Sequence, residues 1–162
     1  LTGHLVLSTL HTNDAAGAVT RLIDMGVEPF LVASSVICMM AQRLVRTNCD
    51  QCKVGASPTP REMKEITRSL NARELGDDAK LFHSTGCASC KKTGFKGRTT
   101  INEILMPNEE IRELIVAKQP TSVIKAAGRR LGMITLREDG MKKVLSGITT
   151  VAEVVRVAYG ED

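Results

Sequence analysis

A chain of 162 residues has room for one compact domain or two small ones, and its 43% apolar content is enough to build a core. Aromatics are limited to Phe30, Phe82, Phe95 and Tyr159, so that core must rest on Leu, Ile, Val, Ala and Met. A net charge of +4 is mildly basic, which points to nucleic acid or an anionic membrane surface only weakly on its own, and no run approaches the ~18 apolar residues of a spanning helix.

The first residues, Leu1-Thr2-Gly3-His4, carry no basic leader and no cleavage pattern, so no signal peptide is read there. His4–Leu10 reads as an apolar strand. A start inside an element without an initiator Met points to a piece of a longer protein. Asn13 or Asp14 is placed to cap a helix carrying Ala15, Ala18, Val19, Leu22 and Ile23 at helical spacing, and Gly26 is placed to end it. A second helix is predicted from Glu28 to Ala41; it is apolar nearly all round, and Cys38 within it reads as a small core residue. Gln42–Arg46 is a short strand candidate.

From Cys49 to Lys96 the character changes: two Cys-x-x-Cys pairs flank a polar segment. One helix starts inside it at Thr59-Pro60-Arg61-Glu62, where Thr59 caps, Pro60 takes the first helical position and Glu62 completes a capping box. Gly94–Gly97 reads as a turn and Thr99–Leu105 as a strand. Helices come next: one capped by Asn108 with Ile111, Leu114 and Ile115, and one over Ser122–Leu131 ended by Gly132. Two more open on capping boxes at Thr135-Leu136-Arg137-Glu138 and Thr150-Val151-Ala152-Glu153, with Gly147 and Gly160 to close them. Gly140 inside the first of these is a weak point for a helix.

Cysteine usage carries the sharpest chemistry. Cys49/Cys52 and Cys87/Cys90 are separated by the 34 residues from Lys53 to Gly86. Each pair can present two thiolates to one tetrahedral zinc ion, and four thiolates close the site to water, which makes it structural. Arg46, Lys53, Lys91, Lys92, Lys96 and Arg98 lie close by in sequence to offset the charge of about −2 on such a centre. Redox or disulfide chemistry and unrelated free thiols are the competing readings. Thiols without a leader point to a reducing, cytoplasmic setting.

The segment from Thr2 to Asp14, with Ser8-Thr9-Leu10-His11-Thr12-Asn13, places polar groups at the carboxyl end of a strand, where open α/β sheets put ligands. It resembles the His box of the secretion ATPase superfamily, which powers type II secretion and type IV pilus assembly. Gln42-Arg43-Leu44-Val45-Arg46 followed by Cys49-x-x-Cys52 resembles that family's strand into a four-cysteine subdomain. Cys87-x-x-Cys90 with Gly94-Phe95-Lys96-Gly97-Arg98 and Glu103 resembles the return, and Asp139 through Val154 the closing helices. Thr100 and Asn102 depart from the pattern, where a small residue and an aromatic one are expected. Retraction motors of the superfamily usually lack the cysteines, so assembly or export is favoured.

The resemblance implies an α/β fold: a partial RecA-like nucleoside-triphosphatase core (1–48), a four-cysteine zinc insert (49–97), and a return strand with an α-helical carboxyl-terminal subdomain (98–162). It implies a hexameric ring in the intact protein, cytoplasmic and held near the inner membrane through platform proteins, with no nucleic-acid partner. ATP and Mg2+ belong to the intact protein, since the sequence holds no Gly-x-x-x-x-Gly-Lys-[Ser/Thr] loop to cradle phosphates. This chain alone is predicted inactive. His11 is implied to face the nucleotide's terminal phosphate, as a sensor of hydrolysis, or a neighbouring subunit, and His4 to be a more structural member of the box; on residues alone both are ordinary polar side chains at a sheet edge. Arg43 reads equally as an interface charge partner or a solvated arginine, and His83 as a surface-loop residue. The rival class is a zinc-containing nucleic-acid-binding module, opposed by the lack of stacking aromatics beyond Phe82 and Phe95. A thiol redox protein is the third reading.

Overall fold

The computed structural model describes residues 3–70 and 79–158, and these form a mixed α/β protein. The chain clusters into two units, Leu1–Ala41 with Glu103–Thr135, and Gln42–Asn102 with Leu136–Asp162.

The first unit holds helices α1 (Ala15–Asp24) and α2 (Pro29–Ser35), joined by α4 (Glu109–Val116) and α5 (Thr121–Arg130). Asp14 caps α1 by accepting the Gly17 N–H, and Gly26 and Val27 close it by donating to Ile23 and Leu22. Asn108 caps α4 through the Ile111 N–H, and Gly132 and Met133 close α5 in the same way as α1. Both starts and both stops fall where the sequence put them. α1 packs on α2 and α5, and α4 on α2 and α5. Val19, Val32, Ile111, Ile115 and Ile124 are buried among these helices.

Two expectations fail in this unit. Residues 4–10 belong to no strand: Leu5, Val6 and Leu7 are 76%, 76% and 89% exposed, and no described strand pairs with them. An apolar run becomes a strand only when its amides find a ladder. The helix predicted from Glu28 to Ala41 stops at Ser35, where Val36 turns extended at ψ 121°. The β-branched pair Val36-Ile37 favours that turn, and Cys38 is exposed, outside any helix.

Strand β1 (Met39–Asn48) begins immediately after Cys38, is longer than the predicted Gln42–Arg46, and pairs in a two-stranded sheet with β4 (Phe95–Leu105). β4 absorbs most of the expected turn at Gly94–Gly97. Its last residues alternate, with Ile101, Glu103 and Leu105 all buried.

The second unit contains β2 (Lys53–Ala56), α3 (Pro60–Thr67), β3 (Leu81–Ser84), α6 (Leu136–Leu145) and α7 (Val151–Val157). β2 and β3 pair antiparallel, Val54 opposite His83, which moves His83 from the predicted loop onto a strand. Thr59 and Glu62 form the full capping box of α3. Ile66, Leu70, Leu81, Met141, Val144, Val151 and Val154 make one apolar cluster from α3 and the turn after it, β3, α6 and α7. Gly147 closes α6 by donating to Val144; Gly160, predicted to close α7, lies outside the described residues. At Thr150 the box is half made: its hydroxyl accepts the Glu153 N–H, but the Glu153 carboxylate points elsewhere.

Candidate metal centre

Two turns bring the four cysteines together. After Cys49, the N–H groups of Cys52 and Lys53 both donate to the Cys49 carbonyl, which folds the first pair back on itself. The second pair lies in a single 3-10 turn, Ala88–Cys90, continued by Lys91 and Lys92 in the left-handed region at φ 52° and 61°. Gly86 sits at φ 89°, and a Cβ there would lie 2.7 Å from the Lys92 carbonyl oxygen, so only glycine lets the turn close. The two turns are joined directly: Cys49 N–H donates to Gly94 O at 2.9 Å.

All four Sγ atoms lie within 4.8 Å of one another. Cys49–Cys87, Cys87–Cys90 and Cys52–Cys90 stand at 3.8, 3.8 and 3.9 Å. Thiolates at about 2.3 Å from a tetrahedral zinc ion form edges of about 3.8 Å. A disulfide needs about 2.05 Å, so the spacing suits a shared ion. The four thiols are positioned to bind a metal.

The thiols differ before any metal arrives. The Cys87 N–H at 3.1 Å leads in drawing the Cys90 thiol down to about 6, against burial and helped by the Gly94 N–H at 3.3 Å. Burial pushes the Cys52 thiol up to about 11, and the neighbouring sulfurs add to that. A metal must displace the Cys52 proton, which makes binding pH-dependent.

Support for the site comes from residues that sequence reasoning missed. Asn48, next to Cys49, is buried and donates its amide to Phe82, Gly147 and Thr149 carbonyls at 3.2 Å each. Thr93 donates its hydroxyl to Cys90 O at 2.6 Å. Several cations thought to offset the cluster are committed elsewhere. Arg46 bonds the Glu153 carboxylate and covers the Phe95 ring, Lys53 pairs with Asp50, and Lys96 donates to Ser89 Oγ. Only the local spacing of Cys-x-x-Cys was visible in one dimension; Asn48 carries no signal until distant carbonyls converge on it.

The remaining candidates are not among the four clustered ligands. His4 and His11 are exposed in the segment before α1. Arg43 is half-buried on β1 and donates to its neighbour's carbonyl at 3.0 Å. His83 faces Glu62, Nε2 to Oε1 at 3.5 Å.

Comparison with known proteins covers nearly the whole chain. The family model described as "Type II/IV secretion system protein" matches residues 1–156. The chain is 50% identical over 155 residues to the type IV pilus assembly ATPase PilB of Thermus thermophilus, covering 96% of this chain and 17% of that protein. It is 45% identical over 157 residues to the type II secretion system protein E of Aeromonas hydrophila, covering 97% of this chain and 30% of that one. The type II secretion system ATPase E of Vibrio cholerae matches at 45% over 157 residues, again 97% and 30%. The chain therefore spans less than a third of the length of these relatives.

Proposed function

The chain belongs to the Type II/IV secretion system protein family, and from that membership we propose that it is the carboxyl-terminal part of a hexameric ATPase that powers type II secretion or type IV pilus assembly. The observation that carries this reading is the 45–50% identity, over nearly the whole chain, to proteins named as such ATPases. On this reading residues 1–48 complete a RecA-like core whose phosphate-binding loop lies in the preceding part of the protein. Residues 49–97 are a metal-stapled insert and 98–162 a return strand with a helical subdomain. His11 faces the terminal phosphate of ATP held with Mg2+ by that preceding part.

The metal is zinc, held by Cys49, Cys52, Cys87 and Cys90, and its role is structural: four thiolates leave no coordination position for water. When bound, it supplies a cross-link between two turns. In the full assembly the motor works on the cytoplasmic side and pushes on inner-membrane platform proteins. No described helix is long and apolar enough to cross a membrane, which is consistent with reaching the membrane through partners.

Phosphate release tests the proposal. The full-length protein is expected to hydrolyse ATP, and residues 1–162 alone to show no turnover above background. Turnover by the isolated chain, or none by the full-length ring, would overturn it.

A further inference from the structure

Glu103 is a buried carboxylate in the core register of β4, between Ile101 and Leu105. Its Oε1 accepts the N–H of Ala15, the first residue of α1, at 2.9 Å. Lys125, on α5, brings its Nζ to 3.0 Å from Asp14 Oδ2 and to 3.9 Å from Glu103 Oε2. The side chains of Lys125, Asp14 and Glu103 are 18%, 17% and 0% exposed. Asp14 also accepts the Gly17 N–H at 2.8 Å, and the Thr12 hydroxyl donates to the Asp14 carbonyl at 3.1 Å.

A helix of ten residues needs one capping side chain to begin, and Asp14 already supplies it. A second carboxylate and an ammonium, both removed from water, cost free energy that the cap does not require. Their effect is to fix the backbone at residues 12–17 from two other elements at once. His11 is the next residue outward, and it is exposed.

We propose that Asp14, Lys125 and Glu103 form a clamp that positions His11. The clamp holds the turn before α1, so the imidazole meets the nucleotide's terminal phosphate in one geometry. Lys125 is a positioning residue: it acts through His11 and touches no nucleotide. This inference rests on the ATPase reading above, with His11 at the phosphate.

The test is steady-state ATP hydrolysis by the full-length protein with His11→Ala, Lys125→Met, both together, and Lys125→Arg. Lys125→Met is expected to lower kcat by about tenfold or more, with KM for ATP within about threefold of the parent. Lys125→Arg recovers part of that loss. The double variant is no more than about twofold slower than His11→Ala alone, because the clamp has nothing left to position. Lys125→Met combined with Glu103→Gln guards against misfolding, since it neutralises the fully buried carboxylate and keeps an acceptor for Ala15. Losses that multiply in the double variant, or a Lys125→Met enzyme with unchanged kcat beside a slow His11→Ala, overturn the clamp and leave the ATPase reading standing. A silent His11→Ala in an active enzyme overturns the role of His11 and the clamp together, and an inactive parent overturns the ATPase reading itself.

Discussion

Glu153 is 2% exposed, yet its carboxylate meets four donors: the Arg46 N–H at 3.1 Å, Arg46 Nη2 at 2.7 Å, and Arg156 Nε and Nη2 at 3.1 and 2.9 Å. The Arg46 guanidinium leads in holding this carboxyl far below the usual range; burial opposes it and Arg156 adds to it. A depressed folded pKa means that the stabilisation is complete above the unfolded value, about 4.3 for Glu, and is lost as pH falls toward the folded one. Glu153→Gln is therefore expected to lower unfolding free energy by about 1–3 kcal/mol near pH 7, a figure held down because both arginines are half exposed. Urea denaturation of the two proteins should show that gap narrowing below about pH 4.5. A gap that stays constant with pH would mean that the charge is not what stabilises the site. The sequence marked this residue as half of a capping box; Arg46 takes the carboxylate from 107 positions away.

At the scale of elements, Gly140 reads oppositely in one dimension and in three. Helix propensity alone makes Gly140→Ala stabilising by about 1 kcal/mol. In the fold, α6 meets α7 there, and a Cβ on Gly140 would lie 2.5 Å from Val154 Cγ1 and 3.0 Å from Cγ2. Val154 is fully buried in the apolar cluster and cannot swing away, so overpacking of about 1–3 kcal/mol outweighs the propensity gain. Gly140→Ala is expected to lower the melting temperature. Val154→Ala, which removes both offending methyls, should restore part of the loss when the two are combined. Simple additivity of the two changes would place the strain elsewhere.

The same contrast explains which elements could be read. The caps at Asp14, Thr59 and Asn108 and the stops at Gly26, Gly132 and Gly147 were legible because each depends on a few neighbouring residues. The run from Glu28 to Ala41 was not: short apolar runs suit helix or strand equally, and pairing with β4 decided for strand from Met39 onward. Leu5, Val6 and Leu7 have a strand's pattern without a described ladder to join.

At the scale of the molecule, the second unit is assembled from pieces far apart in sequence, Gln42–Asn102 and Leu136–Asp162. Its apolar cluster joins α3, β3, α6 and α7, but β2 is nearly all outside that core, with Val54, Gly55 and Ala56 exposed. A pairing of two four-residue strands is marginal in water unless something else holds it. The turns of the cysteine cluster lie at its base, where Lys53 and Ser84 pair beside Cys52 and the Thr85 N–H donates to the Cys52 carbonyl. A metal bound by the four thiols would close the loop from Cys52 to Cys87, and without it the same thiols carry unequal protons and repel as they ionise. Purified protein is therefore expected to hold about one zinc ion per chain, with four cysteines protected from thiol reagents and Cys38, which is exposed, reactive throughout. Chelation should release the four thiols and raise amide exchange first at Val54, His83 and Gly94, before the buried positions of α6 and α7. Restoring zinc should reverse both changes. Because the β2–β3 amides report on the ladder and the thiols report on the ion, the two signals must move together if metal is what holds the strands. Loss of the ion with the ladder still protected would assign that stability to Leu81 and the apolar cluster instead.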